Sequence, residues 1–179
     1  LAFLTLILSA SPPAGAQREP RERGSPEPGT QVIGDGVAVP GRRIGPLHLN
    51  MSLQEILRVM GSGYRRDEFP EYNLLLYEWR QQGIWVSLYL DTKKLRLISA
   101  FGTAGYRTDR GVRLLDHEQR AIATYGKEYR RYDYPEDRIT MFRYPELGLQ
   151  FAFINSPGNL LNGRLFQIGV FKPGDLPPV

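Results

Sequence analysis

The residues able to do chemistry are few and scattered. His48 and His117 are the only imidazoles in the 179-residue chain. A metal site needs two or three converging ligands, and neither His-x-His nor His-x₃-His spacing occurs. There is no cysteine, which excludes disulfides, thiolate nucleophiles, Cys-based zinc sites and lipid attachment through a lipobox cysteine. No Gly-x-Ser-x-Gly elbow and no phosphate-cradling Gly-x-x-x-x-Gly-Lys loop is present. The acid pairs Asp67/Glu68 and Glu136/Asp137 are of the type a glycoside hydrolase uses. They stand among Arg65, Arg66, Arg130, Arg131 and Arg138, where surface ion pairing accounts for them. No catalytic residue, metal ligand or cofactor is therefore assigned, and the two histidines are read as surface or capping residues.

One stretch returns. Tyr64-Arg65-Arg66-Asp67-Glu68-Phe69-Pro70 comes back 65 positions later as Tyr129-Arg130-Arg131-Tyr132-Asp133-Tyr134-Pro135. At the same offset Gly61 matches Gly126, Glu71 matches Glu136, Tyr77 matches Phe142, Trp79 matches Tyr144 and Gly83 matches Gly148. Self-similarity at a fixed period predicts one supersecondary unit used twice. Arg65, Arg66, Arg130, Arg131 and Tyr132 combine the two residue types enriched at interface hot spots. The same stretch also fits a purely structural turn, with the tyrosine packed on the sheet and the arginines in water. Both readings stay open on the sequence.

The elements that must position these residues follow in order. Ser52 and Glu55 form a capping box, Leu53, Ile56, Leu57 and Met60 make an apolar stripe, and Gly61 is a C-terminal glycine. The spacing predicts a helix over 53–60. After a Tyr-Arg-Arg turn come three extended runs: Asn73 to Trp79, Gly83 to Leu90, and Leu95 to Ala100. In the second run Ile84, Val86, Leu88 and Leu90 share one face, and Trp85, Ser87 and Tyr89 the other. In the third, Leu95, Leu97 and Ser99 alternate with Arg96, Ile98 and Ala100.

The same order is then predicted again. Val112 to Leu114 is a lead-in, and Asp116 or His117 caps a helix ending at Tyr125-Gly126. Ile139 to Tyr144, Leu149 to Ile154 and Arg164 to Phe171 are its strands, with Asn155 to Gly163 a longer loop. Val37-Ala38-Val39 is expected as a short edge strand, and Ile44 to Leu49 as an extended lead-in. If helices cover the aliphatic face, Trp85 and Tyr89 lie on the open face of the sheet as a binding patch.

The first 31 residues read differently. Leu1 to Leu8 is apolar but too short to span a bilayer, where about 20 residues are needed. With Ala14-Gly15-Ala16 as a small-x-small site, residues 1–16 fit an export signal that begins inside its apolar region. Residues 17–31 are rich in Pro, Gly and charge and are expected to be a disordered tether. The net charge of +4 is mild and lies in arginine pairs rather than a block, which argues against a nucleic-acid arm.

The run Ile44-Gly45-Pro46-Leu47-His48-Leu49-Asn50-Met51-Ser52-Leu53-Gln54-Glu55-Ile56-Leu57-Arg58-Val59-Met60-Gly61 resembles the opening of the SmpA/OmlA (BamE-like) and β-lactamase-inhibitor-protein (BLIP-like) repeat. Gly111 to Gln119 is similar to the same opening. Asn50 and Leu115 stand where that family usually carries its first glycine. The resemblance covers most of residues 44–172. It implies an exported protein that binds other proteins through its sheet face or loops, with two copies joined into one curved sheet and helices behind. It does not imply inhibition of a β-lactamase, and the inhibitor's disulfides have no counterpart here.

The expected class is α+β: two tandem helix-plus-antiparallel-meander repeats, sheets joined or side by side, short helices on one face. The expected division is 1–16 export signal, 17–31 tether, 32–106 first αβββ unit, 107–172 second αβββ unit and 173–179 tail. The expected function is non-enzymatic: a periplasmic or secreted protein-binding or envelope-assembly module without a transmembrane span. Its candidate binding residues are Trp85, Tyr89, Arg65, Arg66, Arg130, Arg131 and Tyr132, and its partner is another protein. The alternatives are a glycan- or peptide-acting hydrolase with carboxylates around Asn155–Gly163, and a structural subunit of an envelope complex.

Overall fold

The computed structural model describes residues 31–102 and 105–175. The expected export signal, nearly all of the tether and the end of the tail lie outside the described residues. No described helix is long and apolar enough to cross a membrane.

Local chemistry sets both helices. Helix α1 is Leu53–Met60. The Ser52 hydroxyl accepts from the Glu55 N–H, and the Glu55 carboxylate accepts from the Ser52 N–H at 2.7 Å. Two of the backbone donors that any helix start leaves open are thereby satisfied. Ile56 and Met60 are buried, and Gly61 ends the helix with its N–H on the Leu57 carbonyl. Helix α2 is Glu118–Tyr125. Of its two expected caps, His117 does the work: its Nδ1 accepts from the Gln119 N–H at 3.4 Å. Asp116 accepts from the Arg113 N–H instead, at 2.8 Å.

Each helix feeds a run of four strands. After α1 come β4 (Arg65–Phe69), β5 (Leu74–Trp79), β6 (Ile84–Tyr89) and β7 (Leu95–Phe101). After α2 come β9 (Arg130–Tyr134), β10 (Ile139–Tyr144), β11 (Leu149–Ile154) and β12 (Leu165–Val170). They form one eight-stranded sheet in the order β4-β5-β6-β7-β12-β11-β10-β9. All neighbours are antiparallel, and the halves join where Ser99 of β7 opposes Gly169 of β12. The class is α+β.

The Tyr-Arg-Arg stretches are not turns. Arg65–Phe69 pairs with β5 and Arg130–Tyr134 with β10, so each half has four strands rather than three. Their charges lie two positions apart and therefore share a strand face. Arg65 meets Asp67 at 2.9 Å, Arg131 meets Asp133 at 2.9 Å, and Arg66 is paired with Glu68. Charged side chains suit the two edges of a sheet, where an apolar strand would invite pairing with another chain.

The chain turns after these strands, in a 3₁₀ turn at Pro70–Tyr72 for the first and in a turn closed by the Arg138 N–H on the Pro135 carbonyl for the second; further 3₁₀ turns follow β5 at Arg80–Gln82 and β10 at Pro145–Leu147. The last closes at Gly148, with φ of 64°, where a Cβ would overlap the Phe171 carbonyl oxygen. Only glycine fits there.

The expected alternation of β7 also needs correction. A bulge between Ser87 and Leu88 sets Leu97 opposite Ser87 but Leu95 opposite Leu88, so the two leucines face opposite ways. A second bulge lies between Ala152 and Phe153 of β11. Bulges sharpen local bending and twist.

A small second sheet holds β1 (Val37–Val39), β2 (Arg43–Ile44), β3 (Leu47–His48) and β8 (Arg107–Thr108), in the order β3-β2-β1-β8. The expected edge strand β1 is interior, because β8 runs parallel along its other side.

One hydrophobic core joins everything. Tyr77 and Trp79, Val86 and Leu88, Ile98, Ile168, Phe151 and Phe142 point to one side of the large sheet. Ile56 and Met60 of α1, Ala121 and Tyr125 of α2, and Ala38, Ile44 and Leu47 of the small sheet pack onto them. Each large side chain so buried contributes about 1.5–3 kcal/mol.

Candidate binding face of the sheet

Because successive side chains alternate, the large sheet has a second face turned away from that core. Directly paired residues share a face, so the register draws it. One unbroken row crosses all eight strands: Arg65, Glu78, Trp85, Ser99, Gly169, Gln150, Arg143 and Arg130. Leu76, Ser87 and Tyr89 extend the face in the first half, and Tyr132, Met141 and Ala152 in the second. Both helices and the small sheet bury their apolar residues against the other side.

This face is polar yet closely packed. Arg143 is only 4% exposed and Gln150 and Gln167 1%, while Ser99 is fully buried. The Arg143 guanidinium lies 5.0 Å over the Tyr132 ring, and its Nε donates to Met141 Sδ at 3.2 Å. Arg96, at the bulge of β7, lies 5.5 Å over the Tyr89 ring. Burial pushes both guanidinium pKa values down, and the Arg143 charge pushes Arg96 further the same way. The two charges therefore share a field across the sheet, although β12 and β11 lie between their strands. At the junction of the halves, Gln167 Nε2 donates to Ser99 Oγ at 3.1 Å. Gly169 leaves room there: a Cβ would sit 2.6 Å from Gln150 Cγ and 3.0 Å from Ser99 Oγ.

The halves differ in charge. In the first, Glu78 stands between Arg65 and Trp85 and accepts from Arg80 Nε at 3.2 Å. In the second, the matching positions are Arg130, Arg143 and Gln150.

The expected binding residues separate. Trp85, Tyr89 and Tyr132 lie half-buried on this face, with Arg65 and Arg130 exposed at the two ends of the row. Arg66 and Arg131 lie on the core side, opposite Tyr77 and Phe142, with the Arg131 guanidinium 5.9 Å over the Phe142 ring. The alternation of a strand splits each arginine pair between the two faces. Tyr64 and Tyr129 also belong to the core side. Tyr64 lies 5.0 Å from Tyr77, and Tyr129 lies 4.1 Å from Phe142. Sequence reasoning missed Arg96, Arg143, Gln150 and Gln167. A signal existed for the arginines: each interrupts an apolar run, Leu95-Arg96-Leu97 and Met141-Phe142-Arg143-Tyr144.

The residues considered for chemistry do not converge. His48 is exposed at the end of β3, and His117 caps α2. Among the described residues no three His, Asp or Glu side chains group as metal ligands would. A cleft of about 300 Å³ is lined by Gln31, Val32, Ile33, Gly34, Pro46, Val59, Met60 and Gln82, none of them titratable. The Asn155–Gly163 loop carries no carboxylate and is held by Asn162 and Asn159 side chains that accept from the Ser156 and Leu161 N–H groups. Asn155 Nδ2 donates to Thr140 Oγ1, and that hydroxyl donates to Asp133, which is already paired with Arg131.

Compared with protein-family models, with curated proteins and with solved structures, the chain matches none of them.

Proposed function

We propose that this chain is a non-enzymatic protein-binding module of the bacterial envelope or secreted space, and that its sheet face is the binding surface. The proposal includes its architecture: two copies of one helix-plus-meander unit joined edge to edge. The carrying observation is the face itself, which presents Trp85 and Tyr89 half-buried in the first half and half-buried Tyr132 under the buried Arg143 in the second. Tyrosine, tryptophan and arginine dominate interface hot spots. Here they stand on a sheet already ordered by its neighbours, which lowers the entropy lost on binding. The apolar run before Ala14-Gly15-Ala16 supports export.

The test replaces Trp85 and Tyr89 by alanine in the full chain. Affinity capture from the native envelope should lose the partner retained by the wild type, while the circular-dichroism melt stays nearly unchanged. Equal capture by both proteins would end the proposal.

A further inference from the structure

We propose that two copies of this chain associate edge to edge through β9, as an antiparallel pair about a twofold axis at Tyr132. The two eight-stranded sheets then run on into one another, and the face turned away from the core continues across both copies. The proposal concerns the sheet edge and holds whatever the face itself binds.

Backbone direction is the first argument. β4 and β9 are the outer strands of the large sheet, each paired on one side only among the described strands. The Asn155 N–H bonds the Arg138 carbonyl at 2.7 Å, one step beyond the Ile139–Ile154 pair, so position 138 turns its backbone groups toward β11. Backbone groups alternate between the two sides of a strand. Ile139, Met141 and Arg143 therefore bond β9, at Tyr134, Tyr132 and Arg130. The N–H and C=O groups of Arg131 and Asp133 point away from β10, along the outer edge. Such a row is a template for a further strand. On β4 the bond from the Leu90 N–H to the Asn73 carbonyl, at 3.0 Å, sets Arg66 and Glu68 outward in the same way.

Charge complementarity is the second argument, and it chooses between the edges. A twofold pair that joins outward groups to outward groups centres on Arg131, Tyr132 or Asp133 of β9. Centring on Arg131 or Asp133 sets like charges directly across. Centring on Tyr132 sets Arg131 against Asp133 of the second copy, Asp133 against its Arg131, and the two Tyr132 rings side by side. Opposite charges and aromatic pairs directly across stabilise an antiparallel pair, and like charges destabilise it. On β4 the available centres are Arg66, Asp67 and Glu68, and each would meet its own charge. The charges on both edges thus repel most registers and leave one open, on β9. Arg131 and Asp133 are exposed and already paired along the strand at 2.9 Å, so the dimer adds opposite charges across the axis to those along it. Pro135 has no N–H and ends the ladder. Once β9 is taken, only the self-repelling β4 edges remain, and the assembly closes at two copies.

The test is sedimentation velocity of the full chain over a concentration series. The mass should rise from the 20.4 kDa of one chain to twice that value. Arg131→Asp and Asp133→Arg each set like charges across the axis and should each weaken self-association about ten-fold or more. An equimolar mixture of the two variants should recover a heterodimer, because unlike charges then meet in both pairs. Hydrogen exchange on the wild type covers the case in which a variant does not fold. Where the dimer forms, the Arg131 and Asp133 amides should exchange at least about ten-fold more slowly than in dilute solution, while those of Arg66 and Glu68 stay unchanged. A wild-type chain that stays monomeric throughout the series overturns the proposal. So does a dimer that Arg131→Asp leaves intact, or one in which the Arg131 and Asp133 amides still exchange fast. An open series of larger species that Arg66→Asp abolishes also overturns it, because β4 of one copy would then lie against β9 of the next.

Discussion

The Trp79 indole and the Tyr144 hydroxyl, 65 positions apart, each donate a hydrogen bond to the carbonyl of a helix-ending glycine. Trp79 Nε1 reaches the Gly61 oxygen at 3.2 Å, and the Tyr144 hydroxyl reaches the Gly126 oxygen at 3.1 Å. The last carbonyls of a helix have no partner inside it. Here a side chain from the second strand after each helix supplies one and ties the helix end to the sheet. Different residues meet one geometric need.

Removing these bonds should loosen the helices from the sheet. Tyr144→Phe keeps the ring and should cost about 1 kcal/mol, the usual net value of one hydrogen bond. Trp79→Phe also removes volume at a fully buried position and should cost more, about 2–3 kcal/mol. Urea unfolding midpoints of the two variants test this, and a cost near zero for Tyr144→Phe would show that the bond does not hold the helix.

Alkali should weaken the fold through buried tyrosines. Burial pushes the Tyr125 pKa up to about 12 from an ordinary value of 10. The folded chain therefore keeps a proton that the unfolded chain releases, so stability is full below pH 10 and falls as pH rises toward 12. The loss from this group is up to roughly 2 kcal/mol. Tyr106, Tyr134 and Tyr144 are shifted in the same direction, chiefly by burial. In Tyr125→Phe the decline between pH 10 and 12 should be shallower. The variant also loses the hydroxyl's bond to Asp109 at 3.1 Å, so its stability at pH 7 should start about 1 kcal/mol lower. Thermal melts across that range decide it.

Gly148 and Gly102 separate backbone strain from crowding. Both have positive φ, 64° and 85°. Nothing lies within 4 Å of a Cβ at Gly102, whereas at Gly148 the Phe171 carbonyl oxygen and the Gly41 Cα are in the way. Gly102→Ala should cost only the local strain, about 1 kcal/mol. Gly148→Ala should cost about 3 kcal/mol or more, since the junction of β10, β11 and the Phe171 segment must move. Similar melting temperatures for the two variants would contradict the close approach.

Much of the fold was legible where neighbours in the chain set the structure. Ser52, Glu55 and Gly61 marked α1 to the residue, because capping acts over three or four positions. The faces of β6 followed from strict alternation, and Trp85 and Tyr89 were placed on the correct side. The error at Tyr64-Arg65-Arg66 has a local cause. Alternating charges suit an edge strand as well as a loop, and only pairing to β5 tells them apart. The misplaced Leu95 and Leu97 depend on a bulge that no residue type announces.

The sequence by itself determined the two capped helices, the alternating strands, the aromatic face of β6 and the absence of cysteine chemistry. Each of these is written in residues within a few positions of one another. Only the tertiary structure decided that Arg143, Gln150, Ser99 and Trp85 lie in one row, that Arg66 and Arg131 turn to the other side, and that Arg96 feels the charge of Arg143. Those relations follow from strand register and sheet order. A register is fixed by contacts between segments far apart in the chain, and a shift of one residue would send every side chain to the opposite face.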